Sequence, residues 1–355
     1  MYGQRGIAAM LDFCRDIREV AEPGCLLLNY ANPMAMMTWA ANVHGGVRCV
    51  GLCHGVQGGH KQIARVTTHW ARGQGWIAGD QEILPKDIDI TCAGINHQTW
   101  YIKARWRDID LVPRMLEMYE SHPEIRRKEP VRIDMLRRFG YYSTESNGHL
   151  SEYVPWYRKR HDDLARWVDP SWGLGGETAG YLKGCIRERN WFETELPKWM
   201  AQPAWEFRQE LRSVEHGSWI IESLETGRVY RGHFNRVNGE TITNLPVDCI
   251  VEAPGYVDRN GIATPPVGDL PWGCAAVCGA SVAMQRLAVL AAVSGDDRLL
   301  RQAFLVDPLV GAVCTPPEVW QLVDEMLAAG ERWLPQYGPA IAEAKARLAS
   351  GLAVA

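Results

Sequence analysis

Between residues 25 and 101 the chain alternates short apolar runs with helical patterns. Cys25-Leu26-Leu27-Leu28 leads into Asn29-Tyr30-Ala31-Asn32-Pro33. Val47-Arg48-Cys49-Val50-Gly51-Leu52 leads into Cys53-His54-Gly55, and Asp87-Ile88-Asp89-Ile90-Thr91-Cys92-Ala93 into Gly94-Ile95-Asn96-His97. Runs this short, rich in Val, Ile, Leu and Cys, read as buried strands. Helical periodicity at 35–43 and 59–70 separates them. Strand, helix, strand, helix, strand predicts a parallel sheet. The ligand of such a sheet sits beyond the carboxyl ends of its strands, so Cys53, His97 and Asn32 are expected in one crevice.

Upstream, residues 5–20 predict an amphipathic helix with Ile7, Met10, Leu11, Cys14, Ile17 and Val20 on one stripe. Downstream, 99–105 alternates as a strand, 108–121 is helical around Leu111, Met115, Leu116 and Met118, and 124–138 is charge-rich enough to predict a solvated helix. Turn formers at 143–150 predict a loop. Gly173-Leu174-Gly175-Gly176 follows no strand and is a poor phosphate cradle. Residues 206–216 predict a helix, 228–235 and 241–245 short strands around Asn238-Gly239, and 247–257 a buried strand. Apolar helices are expected at 275–293, 317–327 and 339–348, with a further one beginning at Gly295-Asp296-Asp297.

Composition narrows the function classes. The chain has 355 residues, 46% hydrophobic, with a net charge of -4. That balance offers no broad attraction for nucleic acid or an anionic membrane. No apolar run is expected to approach the roughly 20 residues that span a bilayer. The start, Met1-Tyr2-Gly3-Gln4-Arg5-Gly6, lacks the apolar centre of a signal peptide, so the expected location is cytoplasmic. Ten cysteines at irregular spacing, in a chain this long, are not a disulfide framework. The four-residue spacing of Cys274 and Cys278 is read as packing within a helix.

Thiolate and imidazole are preferred metal ligands, and a pair of them leaves positions open for substrate. Cys53 and His97 are therefore candidate ligands. The competing reading makes Cys53 a small core residue and His97 a hydrogen-bonded strand end. Glu145, His149, Glu152 and Tyr153 cluster in one polar stretch and are candidates for acid–base work.

Five segments together resemble glycoside hydrolase family 4, most closely its α-galactosidase-like branch. They are Asn29-Tyr30-Ala31-Asn32-Pro33-Met34, Gly51-Leu52-Cys53-His54-Gly55-Val56-Gln57-Gly58, Ala93-Gly94-Ile95-Asn96-His97, residues 143–156, and Asn244-Leu245-Pro246-Val247-Asp248-Cys249-Ile250-Val251-Glu252. The resemblance implies an exception to two-carboxylate glycoside hydrolysis. NAD takes a hydride from C3 of the sugar, a base removes the acidified C2 proton, the glycoside is eliminated, water adds, and the hydride returns. It implies a divalent metal, usually Mn2+, on Cys53 and His97. Tyr153 is implied as the base, with Glu152 as its rival, and His54 as a helper of the leaving group or holder of a sugar hydroxyl. Asn32, Asn96 and His149 are implied near the sugar, Asn32 also near the nicotinamide.

The fold expected is α/β: an incomplete Rossmann-like parallel sheet over 1–105, then an α+β substrate domain over 106–355 with a lactate/malate dehydrogenase-like C-terminal fold. Family members begin with a strand and a glycine-rich turn for the NAD pyrophosphate. Met1 is expected to fall about a hundred residues into such a chain, which puts activity of this form in question. The resemblance implies an α-galactoside as the small-molecule partner and a homo-oligomer. Rival readings are a non-catalytic sugar- or metal-binding remnant, an α-glucosidase or α-galacturonidase of the same family, and a hydroxy-acid dehydrogenase.

Overall fold

The computed structural model describes residues 1–168, 185–187, 189–204, 206 and 208–351. The Gly173–Gly176 stretch lies outside them. The described strands form one sheet: β1 (Leu26–Asn29), β2 (Arg48–Gly51), β3 (Ile88–Ile95), β4 (Gln98–Trp106), β5 (Ile109–Asp110), β6 (Tyr142–Ser143), β7 (Tyr230–Val237), β8 (Ile250–Asp258) and β9 (Gly261–Ala263). Their spatial order is β1-β2-β7-β8-β3-β4-β5, with β6 beside β4 and β9 beside β8.

β1 and β2 are parallel, in register from Leu26–Arg48 to Asn29–Gly51. They are joined through α2 (Met34–Trp39) and its π-helical extension Ala40–His44. The third predicted strand departs from the parallel expectation. β3 turns back through Asn96-His97 into an antiparallel hairpin with β4, and it meets β8 antiparallel through one pair, Gly94–Glu252. β7 and β8 stand between β2 and β3, and β2 touches β7 at one pair, Gly51–Asn235. Because both junctions are single pairs, the carboxyl ends of β2 and β3 approach the same point from opposite directions. The crevice forms although the third strand is not parallel to the first two.

Helices cover both faces. Neighbouring residues of a strand point to opposite sides, so Trp100 and Tyr101, both fully buried, enter different cores. Trp100 packs with Ile7, Met10 and Cys14 of α1 (Tyr2–Val20) and with Cys274, Cys278 and Val282 of the helix Trp272–Ser294. Tyr101 packs with Ile63 and Trp70 of α3 (Gly55–Gly73) and Met115 and Tyr119 of α4 (Met115–Ser121). The predicted stripe of α1 is buried at Ile7, Met10 and Cys14, whereas Val20 is exposed at the helix end.

Several expectations are corrected. The helix predicted over 108–121 begins later: Ile109–Asp110 pairs with β4 and the α-helix starts at Met115. The charge-rich stretch 124–138 is two helices, α5 (Pro123–Lys128) and α6 (Pro130–Phe139), and α6 buries Val131, Arg132, Ile133, Asp134, Met135 and Leu136. The predicted loop at 143–150 closes into β6 and a short helix, α7 (Asn147–Glu152), capped by Ser146 accepting from the His149 N–H. The helix predicted over 206–216 starts at His216 and runs to Thr226. Residues 241–245 make one isolated bridge, Ile242 to Gly268, rather than a strand. The helix Trp272–Ser294 is, by length and hydropathy, able to cross a membrane, contrary to the sequence expectation. Here it is a core helix, packed on α1, α2 and the helix Asp297–Val306.

Candidate metal centre

Three elements supply the site. Cys53 follows β2 and precedes α3, where the Gly55 N–H points at its Sγ, 3.4 Å away. His97 is the second residue of the β3–β4 turn, at φ 66°. The third element is the stretch around α7. Glu145, His149 and Tyr153 are spaced four apart, a helical spacing that aligns side chains on one face, and Glu145 holds φ 76°. Left-handed backbone is unfavourable for residues with a Cβ. Two such residues side by side are strain of the kind that collects at functional sites.

These residues converge. One ligand atom each from Cys53, His97 and Glu145 lies within 4.8 Å of the others. His97 Nε2 is 3.6 Å from Glu145 Oε1, and Cys53 Sγ is 3.9 Å from the same oxygen. On its other side the His97 ring places Nδ1 2.8 Å from Tyr153 Oη. The His149 ring stacks on His97 at 5.6 Å, and its Nδ1 sits 2.9 Å from Glu152 Oε2. Glu152 also takes a hydrogen bond from Arg158 at 3.3 Å, so its carboxylate is engaged by two neighbours. His54 is mostly exposed, with Nδ1 3.6 Å from Glu215 Oε1.

Two cavities meet here, sharing Asn32, Met34, Asn96, His97 and His149. One, of about 630 Å³, includes Glu152, Tyr153, Ser281 and Gln285. The other, of about 520 Å³, includes Cys53, His54, Gln62, Glu129, Arg132 and Glu145. Asn32 is exposed at the end of β1, with Oδ1 accepting from the Met34 N–H at 3.3 Å. Asn96 is buried, and its Nδ2 makes no hydrogen bond of normal geometry.

Burial sets the protonation states. It pushes the Cys53 thiol well up, with the negative charges of Glu252 and Glu145 adding and the Gly55 N–H opposing. It lowers His97, keeping the imidazole neutral with a lone pair to give. It raises Tyr153, with Glu145 and Glu152 adding. His149 is raised, chiefly by its hydrogen bond to Glu152. A thiol, a neutral imidazole and a carboxylate, with no Lys or Arg among the described residues paired to them, form a donor set for a borderline divalent cation. A bound cation inverts the thiol's preference.

Sequence reasoning passed over three neighbours. Glu252 of β8 is almost fully buried, accepts from Thr99 Oγ1 at 2.8 Å, and has its pKa raised by burial to about 7. A carboxylate in the middle of the apolar run 249–257 was the available signal. Glu129 and Arg132 were masked by the density of charge around them. Arg132 lies 3.3 Å from Glu129, and both line the cavity holding Cys53.

Comparison with known proteins agrees with this architecture. The profile for family 4 glycosyl hydrolases matches residues 1–69, and that for the family 4 glycosyl hydrolase C-terminal domain matches residues 92–310. An α-galactosidase from Rhizobium meliloti (strain 1021) is 54% identical over 350 residues, spanning 98% of this chain and 69% of that protein. An α-galactosidase from Bacillus subtilis (strain 168) is 29% identical, spanning 94% of this chain and 72% of its own. A crystal structure of a 6-phospho-α-glucosidase from gut microorganisms, in complex with NAD and Mn2+, shares the fold. Its TM-score is 0.69 at 17% identity, covering 94% of this chain and 72% of that one. With both profiles matched in order and more than half of its residues shared with a full relative, the chain belongs to glycoside hydrolase family 4.

Proposed function

We propose that the chain carries the sugar-cleaving site of an α-galactosidase, with Cys53 and His97 holding a divalent cation and Tyr153 taking the proton from C2. The observation that carries this reading is the His97 ring. Its Nε2 faces Cys53 and Glu145, and its Nδ1 lies 2.8 Å from Tyr153 Oη. Once Nε2 gives its lone pair away, Nδ1 must keep the ring proton and donate it to the tyrosine oxygen. That hydrogen bond favours the phenolate and aims it.

Bound, the cation supplies Lewis acidity at the C2 and C3 oxygens, and NAD supplies hydride exchange at C3. The described residues fit the nicotinamide end of NAD only. Asn32 lies in the loop just beyond β1, and the outer edge of β1 has no partner among the described residues. No glycine-rich cradle for a pyrophosphate is present among them. The turn after β1 is Asn32-Pro33, Gly55 packs on Glu145, and Gly59 packs on Tyr101.

The protein's own groups divide the remaining work. Tyr153 moves the C2 proton, a role in which a placed base contributes about 10²–10⁴-fold. Glu152 is held by His149 and Arg158, which favours Tyr153 over it as the base. His54, at the mouth of the cavity, serves the departing glycosidic oxygen. Asn96 offers an unpaired buried donor to a sugar hydroxyl. The 630 Å³ cavity has no Lys or Arg among its described lining residues, and Arg132 of the 520 Å³ cavity is already engaged by the Ser143 carbonyl, Gln62 and Glu129. This supports a neutral hexose over a phosphorylated sugar or a uronic acid, as does the 54% identity to an α-galactosidase.

The test is hydrolysis of an aryl α-galactoside in D2O with NAD and Mn2+. The expected result is deuterium at C2 of the released galactose, loss of turnover in EDTA, and a fall of about 10²-fold or more in kcat for Tyr153→Phe. Cleavage without deuterium at C2 would remove the role of Tyr153. Cleavage of an α-galacturonide in preference to the galactoside would overturn the substrate.

A further inference from the structure

We infer that Glu145 is a third protein ligand of the cation, so that the chain binds the metal with a Cys–His–Glu set before any sugar arrives. The inference rests on the metal-centre part of the proposed function and extends it to a residue with no assigned role.

Three observations converge on Glu145. The first is spacing. Ligand atoms 2.1–2.3 Å from a tetrahedral centre stand about 3.4–3.8 Å apart. Glu145 Oε1 is 3.6 Å from His97 Nε2 and 3.9 Å from Cys53 Sγ. One oxygen is thus nearly equidistant from both other donors, where a shared cation requires it.

The second is charge. The carboxylate is about one-tenth exposed. Among the described residues it lies at ion-pair distance of no Lys or Arg; its nearest basic group is the His97 ring at 3.6 Å, with the His149 ring stacked behind that. The Cys53 sulfur stands 3.9 Å from the carboxylate. Buried carboxylates are found paired or on metals, and no paired cation is supplied by these side chains.

The third is space made for it. A Cβ at position 55 would stand 2.7 Å from Glu145 Oε1 and 3.5 Å from Cys53 Sγ. Glycine at the start of α3 thus leaves the carboxylate room beside the thiol, and a Cβ there would make Oε1 shift. With three protein donors, a four-coordinate cation would keep one position open for a sugar hydroxyl.

The experiment measures Mn2+ binding to the chain, followed by the EPR signal of free Mn2+, with neither NAD nor galactoside present. Wild type is expected to bind, and Glu145→Gln to bind about 10–100-fold more weakly, the loss typical of removing a group that supports a metal site. Gly55→Ala keeps the carboxylate and favours the helix, yet crowds Oε1, so it is expected to fall between the two. It also carries the test should Glu145→Gln lose its far-UV CD spectrum. Cys53→Ser and His97→Gln are the reference losses. If those two weaken binding while Glu145→Gln and Gly55→Ala match wild type, this inference is wrong and the metal centre stands. If none of the four weakens binding, the metal-centre reading itself falls, whatever the activity toward galactosides.

Discussion

Replacing Arg132 tests how the charge-rich region beneath the site is held. Arg132 is almost fully buried on α6. Its Nε and Nη2 donate to the Ser143 carbonyl at 3.2 and 2.8 Å, and its Nη1 donates to Gln62 Oε1 at 2.6 Å. The guanidinium lies over the Tyr142 ring at 4.2 Å and 3.3 Å from Glu129. Arg132→Met keeps most of the volume and removes every donor. Gln62 Oε1 retains the Tyr142 hydroxyl at 2.8 Å, but the Glu129 carboxylate loses the one buried cation it has among the described residues. Breaking a buried pair from one side costs about 3–5 kcal/mol, because the other charge is left uncompensated. Adding Glu129→Gln removes that charge. The double variant should recover about 2 kcal/mol or more of the loss, a coupling in the range for side chains in contact. Urea unfolding at pH 7, followed by tryptophan fluorescence and far-UV CD, gives both numbers. A loss below about 1 kcal/mol for Arg132→Met, or strictly additive losses in the double variant, would refute the reasoning. Either result would return 124–138 to the solvated helix that its composition predicts.

Two further outcomes follow from other buried contacts. His233 accepts from the Cys92 N–H at 3.4 Å, and burial lowers its pKa to about 3. The unfolded chain therefore binds the extra proton below about pH 6.5, and stability falls with pH by about 2 kcal/mol by pH 5. His233→Gln should flatten that acid limb, and parallel losses in both proteins between pH 7.5 and 5 would exclude the assignment. Gly59→Ala would place a Cβ against the Tyr101 phenol, whose hydroxyl donates to the Val56 carbonyl at 2.6 Å. Overpacking of this kind costs about 1–3 kcal/mol, read as a lower urea midpoint. An unchanged midpoint would mean that α3 shifts freely over β4.

The sequence by itself determined what local pattern can carry. The periodicity of α1 and α3 marks their buried faces, the long apolar run marks the helix Trp272–Ser294, and the short apolar runs mark β1, β2, β3 and β8. The strand ends and the resemblance both drew Cys53 and His97, 44 positions apart, into one expected site, and the structure brings their side chains together with Glu145. Tertiary structure alone decided the direction of β3. That direction depends on strands formed more than 130 residues later, which enter between β2 and β3 and join them through Gly51–Asn235 and Glu252–Gly94. Tertiary structure also decided which charges are interior. Arg132 and Glu129 are no different in composition from their exposed neighbours Arg126 and Lys128, and only the packing of α6 against β6 and α3 buries the first pair. Glu145 is the same case at the metal centre. Its placement combines a left-handed backbone with the room left beside Gly55, ninety positions away. Local periodicity reports which face of an element is apolar, whereas strand direction, charge burial and ligand convergence arise between elements and appear only when the chain is folded.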